Sequence, residues 1–155
     1  MKITDALLGE HGINYILFSH TRDTVDNSHV LQGISNSVSV LGHVLMDHVQ
    51  VEDDLLFPKL EPYLGQIGPL AVMRMEHHGP EDLLEKSKNE TDVRTLKFIL
   101  TEFLDLRYSH FRKEEMLLFC MAQQILDKQK LIELGQQWAD SRDVTIDGHG
   151  CLGAA

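Results

Sequence analysis

The chain has 155 residues, enough for one domain with a sizeable core, and 43% of them are hydrophobic against 25% charged. Its formal net charge of -10 at pH 7 argues against nucleic acid and against anionic membranes, both of which call for basic patches. No apolar run approaches the roughly 20 residues that span a bilayer, and Met1-Lys2-Ile3-Thr4-Asp5 lacks the features of a leader, so a cytoplasmic protein is expected.

The apolar period is helical throughout, which predicts an all-α fold. A first helix starts near Thr4 or Asp5, either of which could cap it, and ends around Arg22, with Leu7, Leu8, His11, Tyr15 and Phe18 on one face. A second, capped by Asn27 or Ser28, runs from about His29 through Phe57 with a bend expected at Pro58. Its stripe is Leu41, Leu45, His48, Glu52 and Leu55. The third follows Gly68-Pro69 and carries Leu70, Met73, His77, Glu81 and Leu84, with Pro80 expected to kink it beside His77. The fourth is capped by Thr91 or Asp92, and its stripe is Leu96, Leu100, Phe103, His110, Glu114, Leu117 and Met121. A short fifth helix spans about 130–139. Short connections favour antiparallel neighbours, giving an up-down-up-down four-helix bundle with a short C-terminal fifth helix over residues 1–142 and an irregular tail over 143–155.

Two His-x3-Glu pairs, His48/Glu52 and His110/Glu114, sit inside otherwise apolar stripes. Residues four apart share a helix face, and a buried charge is costly unless it is paired or binds a metal. His11 and His77 lie on the stripes of the other two helices, so four imidazoles and two carboxylates face one core. The order, a lone His followed by His-x3-Glu, occurs twice, a two-fold pattern suited to a metal pair in a bundle. Six such ligands exceed the needs of one tetrahedral zinc and suit two octahedral metals, with iron, manganese or zinc all compatible with nitrogen and carboxylate donors. His20, His29, His43 and His78 fall off the stripes. Cys120 reads as a buried thiol, Met73, Met116 and Met121 as core filler, Glu52-Asp53-Asp54 beyond the ligand position as a solvated face, and His149-Gly150-Cys151 as tail.

The motifs Glu10-His11, His48-x3-Glu52 before Leu56-Phe57-Pro58, Glu76-His77, and His110-x3-Glu114 before Leu118-Phe119 resemble the hemerythrin-like family, the HHE cation-binding domain, over about residues 4–127. The resemblance implies a non-haem di-iron centre of two iron ions, with an oxo or hydroxo bridge as an option. His11, His48, His77 and His110 would be terminal ligands and Glu52 and Glu114 bridging or terminal carboxylates. Oxygen-carrying members hold a His-x3-His pair on the third helix. Here Glu81 stands four after His77, a candidate seventh ligand, and Tyr15 stands four after His11, a phenolate ligand, a hydrogen-bond donor or a packed aromatic. Such donors favour the ferric state over reversible carriage. The expectation is a protein that binds or senses O2, NO, peroxide or iron, with a catalase-like peroxidase or oxidase as the alternative and a metal-free interaction module as a third reading.

Overall fold

Residues 1–65 and 67–146 are described by the computed structural model, and among them the regular structure is helical throughout. The helices are α1 (Ile3–Asn27), α2 (Leu31–Val51), α3 (Phe57–Leu64), α4 (Pro69–His78), α5 (Glu81–Asn89), α6 (Val93–Lys113), α7 (Phe119–Ile125) and α8 (Lys128–Ser141). Two wide π turns, Glu52–Leu56 and Glu114–Leu118, join α2 to α3 and α6 to α7 without a break. The expected second and fourth helices are therefore continuous rods with a π turn in each. His149-Gly150-Cys151 lies outside the described residues.

The π turns explain where the expected stripes fail. In each, a backbone N–H bonds the carbonyl five residues back: Phe57 to Glu52, and Phe119 to Glu114. One extra residue in a turn rotates everything after it by about 100°. Leu56 and Leu118 are consequently fully buried, while Leu55 is only partly so and Leu117 is 47% exposed. Met116 and Cys120 are also exposed, correcting their expected burial. The bend expected at Pro58 is absorbed by the π turn before it, and Pro58 sits in the first turn of α3.

Local chemistry settles the helix ends. α1 runs to Asn27, beyond the loss of its apolar pattern, and in its last turns Thr24 and Asn27 donate back to the carbonyls of His20 and Asp23. Val30 rather than Asn27 or Ser28 is the residue before α2, and the Ser28 hydroxyl accepts the Val30 N–H in the approach. Asp92 caps α6 as expected, accepting from the Thr95 N–H at 2.8 Å, and Asp127 caps α8 in the same way. The third helix does more than kink. It stops at His78, turns through Gly79-Pro80 and restarts at Glu81.

Packing brings distant residues together in pairs: Glu10 with His48 and Thr21 with Ser37 between α1 and α2, Thr4 with Gln123 between α1 and α7, and Lys97 with Asp26 between α6 and the end of α1. Three apolar clusters follow one another along the rods. One gathers Leu7, Leu56, Phe57, Leu60, Leu70 and Phe119; the next holds Phe18, Leu41, Leu45, Phe103 and Phe111; the last holds Val25, Ile34, Val38, Leu96 and Leu100. Each fully buried Leu or Phe contributes roughly 1.5–3 kcal/mol of apolar burial. Residues 11, 48, 52, 77, 110 and 114 fall between the first two clusters along their rods, so their polar groups are enclosed in apolar packing on both sides. α8 closes against α1, where a Cβ on Gly135 would overlap the Met1 carbonyl oxygen.

Candidate metal centre

Each rod delivers one imidazole to the interior: α1 His11, α2 His48, α4 His77 and α6 His110. The carboxylates Glu52 and Glu114 open the two π turns, four residues after His48 and His110. All six residues are at most 2% exposed. They form two groups whose ligand atoms lie within 4.8 Å of one another: His11, His48, Glu52 and Glu114 in one, and Glu52, His77, His110 and Glu114 in the other. The two carboxylates are common to both groups. That is the arrangement needed to hold two cations side by side with shared carboxylate ligands.

The outward ring nitrogens explain why the inward ones converge. Nδ1 of His48 meets Glu10 at 2.8 Å, Nδ1 of His11 meets Glu115 at 3.0 Å, Nδ1 of His110 meets Glu76 at 3.1 Å and Nδ1 of His77 meets Asp53 at 3.3 Å. A carboxylate only accepts, so each Nδ1 carries a proton, and each Nε2 faces inward, where it presents a lone pair whenever its ring is neutral. Metal-binding histidines are oriented this way. The pattern is two-fold. The Glu before each lone His holds the ring of the next rod, Glu10 to His48 and Glu76 to His110. The acidic residue after each shared carboxylate holds a lone His ring, Asp53 to His77 and Glu115 to His11.

Some of these carboxylates are themselves braced. Glu10 also accepts from Trp138 Nε1 at 2.8 Å and Arg142 Nε at 2.9 Å, both from α8 or its end. Although burial opposes its charge, the donors His48, Arg142 and Trp138 bring its pKa down to about 2. Glu76 also pairs with Lys113, and with His110 that donor holds it below the usual range against the cost of burial.

Whether a cation fits is answered by the unpartnered atoms. Both Glu52 oxygens, Glu114 Oε2 and His110 Nε2 are buried without a hydrogen-bond partner. Nε2 of His11 and of His48 lie 3.1 Å apart, and His110 Nε2 lies 2.8 Å from a Glu114 oxygen; in neutral rings these are lone pairs facing lone pairs, and only added positive charge, a proton or a cation, relieves them. Leaving such groups uncompensated costs several kcal/mol each. Burial, and the charge of Glu114 next, push the Glu52 carboxyl up. Burial would raise Glu114 too, but the imidazoles of His11, His110 and His77 hold it well below the usual range. His77 shows the same demand for positive charge. Burial opposes its protonation, yet Asp53, Glu114 and Glu52 raise it to about 11. A metal cation answers that demand for every ring together, so the residues fit one.

Tyr15 and Glu81 lie outside both groups. The Tyr15 hydroxyl donates to Glu115 Oε1 at 2.8 Å, so it reaches the centre through the carboxylate that holds His11. Burial and Glu115 push its phenol up, which keeps it a protonated donor and opposes a phenolate. Glu81 is 38% exposed on its side chain and faces His78 at 3.6 Å. The break at Gly79-Pro80 resets the helical phase, so four residues after His77 is no longer the same face. His20, His29, His43 and His78 are exposed, in line with their places off the stripes. Of the outer acids, Glu10 and Glu76 enter the sequence reading only as motif neighbours of His11 and His77, Asp53 reads as part of a solvated face, which its contact with His77 corrects, and Glu115 is not singled out. Their signal was an acidic residue beside a ligand position, repeated in both halves of the chain.

The hemerythrin HHE cation-binding domain matches residues 3–122. The chain belongs to this family. Curated relatives named iron-sulfur cluster repair protein YtfE are also similar. The one from Enterobacter sp. (strain 638) is 33% identical over 69 residues, 43% of this chain and 31% of that protein. Those from Citrobacter koseri and Escherichia coli O157:H7 are 32% identical over the same length. The match thus spans about a third of the relatives' length. No solved structure matches. The family match covers the rods described above, and no helix among the described residues is long and apolar enough to cross a membrane.

Proposed function

We propose that this chain is a non-haem di-iron protein in which His11, His48, Glu52 and Glu114 hold one ion and His77, His110, Glu52 and Glu114 the other. The observation that carries the reading is the sharing of Glu52 and Glu114 between two buried groups. The fold we read for it is an up-down-up-down four-helix bundle over residues 1–142, supported by the pairing of early with late residues along neighbouring rods. Iron would supply redox chemistry and Lewis acidity at the centre. The chain's own residues enclose it: the ligand positions are at most 2% exposed, which suits a ligand the size of O2, NO or peroxide.

Of the roles open to such a centre, handling of iron or of a small oxidant is favoured over reversible oxygen carriage. The third rod lacks the His-x3-His pair of oxygen-carrying members, so each group has two imidazoles beside the two carboxylates, and hard anionic oxygen donors stabilise ferric iron. The relatives' name brings iron-sulfur cluster repair to this chain as a setting for that chemistry. Anaerobic ferrous protein exposed in turn to air, NO and peroxide tests the reading. A ligand-dependent absorption that reverses on degassing supports binding or sensing, whereas rapid peroxide consumption at the same centre moves the protein to the catalase-like alternative. Delivery of iron to a cluster-depleted acceptor protein would support the repair setting. A chain that takes up one zinc and no iron would remove the di-iron reading.

A further inference from the structure

The third rod is the weak element around the centre. It breaks at Gly79-Pro80, two residues after His77. Pro80 has no N–H, and its ring conflicts with the carbonyl four residues back, that of Glu76. An unbroken helix would satisfy the carbonyls of Glu76 and His77 from residues 80 and 81. Here both accept from one side chain on α6: Arg107 Nη1 donates to the Glu76 carbonyl at 3.3 Å and Nη2 to the His77 carbonyl at 2.8 Å. Arg107 is 2% exposed, its guanidinium rests over the Phe103 ring, and its Nε has no partner.

The two residues it grips both serve the centre. His77 brings its Nε2 to Glu52 and Glu114, and Glu76 holds the ring of His110. We infer that Arg107 is a positioning residue that replaces the backbone donors lost at Pro80 and so fixes the His77/His110 half of the metal centre. The inference rests on the metal reading above and adds an asymmetry to it.

Charge alone predicts the opposite of what positioning predicts. Arg107 is a buried cation in the field of Glu81, Glu114 and Glu52, so it repels a metal ion held by the last two. Removing it should tighten metal binding if its charge dominates, and weaken one half if its hydrogen bonds dominate.

The test titrates chelator-treated wild type, Arg107→Met, Pro80→Ala and the double variant with ferrous iron under anaerobic conditions, with far-UV circular dichroism to follow helix content. Zinc and histidine 15N NMR assign which rings lose their ion. Arg107→Met is expected to bind the ion of the His11/His48 half as wild type does and the other about 10- to 100-fold more weakly, the range for loss of a supporting contact. The double variant regains most of that loss, because replacing Pro80 restores a backbone N–H that can donate to the Glu76 carbonyl. Should Arg107→Met fail to fold, Arg107→Lys, with its charge kept and its fork lost, is expected to weaken the same half by a smaller factor. Wild-type affinity for both ions, tighter binding, equal weakening of both halves, or no recovery in the double variant each overturns the assignment. A wild-type chain that takes up no iron overturns the metal reading and this inference together; a loaded wild type with an indifferent Arg107 variant overturns this inference alone.

Discussion

Around His11 and His48, the outer carboxylates are tied to further elements: Glu10 to Trp138 and Arg142 at the C-terminal helix, and Glu115 to Tyr15. Around His77 and His110, Glu76 is tied to the half-exposed Lys113, and the rod that carries His77 is interrupted two residues later. The inner residues of the two halves are equivalent, with two imidazoles each and the same two carboxylates. The difference lies in what holds them. On the proposed reading, a duplicated ligand pattern gives two sites of the same donors with different rigidity, and a metal site's affinity depends on how much of its geometry is held before the ion arrives.

The most damaging change is one that the halves share. Glu114→Ala removes a carboxylate from both groups and should abolish binding of both ions, as read by metal analysis, whereas His110→Ala should cost one ion more than the other. Loss confined to one half in Glu114→Ala would break the sharing. Next come the outer acids. Glu10→Gln should weaken the His11/His48 half about 10- to 100-fold and leave the other near wild type. Isothermal titration of the two steps would detect a reversed pattern.

The same variant has a pH signature in chelator-treated protein. Glu10 has a folded pKa of about 2 against an ordinary value of 4.5. A lowered carboxylate stabilises the fold above its ordinary value and loses that contribution as pH falls toward its folded one. On the acid side, the stability gap between wild type and Glu10→Gln should shrink as pH falls from about 4.5 toward 2, as followed by urea unfolding. A gap that widens in acid would contradict the bracing of His48 by an ionised Glu10.

Smaller still is the effect of α8 itself. Gly135→Ala, which forces a Cβ against the Met1 carbonyl oxygen, should cost about 1–3 kcal/mol of stability and lower the melting temperature. Because α8 braces Glu10, affinity in the first half should fall with it while the second half is unmoved. His43→Ala, on an exposed face, should change neither.

Much of this was legible in the sequence. The stripe His48/Glu52 and its match His110/Glu114 carried their own evidence, since charged groups in an apolar seam need an explanation. The outer acids carried none of that kind. Glu10, Asp53, Glu76 and Glu115 each sit one residue from a ligand, about 100° around the helix, where periodicity reads a surface group, and the rings they hold belong to other rods. The π turns were hidden for a different reason. Leu55-Leu56-Phe57 and Leu117-Leu118-Phe119 are unbroken apolar triplets, so the sequence is compatible with either helical phase, and only the packed rods select the later one. Glu81 followed from extending one phase through Pro80, where the helix does not continue.

The most direct measurement is the stoichiometry of anaerobic ferrous binding to wild type and to Glu114→Ala. Saturation at two ions per chain in wild type, with neither ion retained when Glu114 is removed, is the expected result. Saturation at a single ion in wild type, or retention of both without Glu114, would contradict a pair of ions held on shared carboxylates.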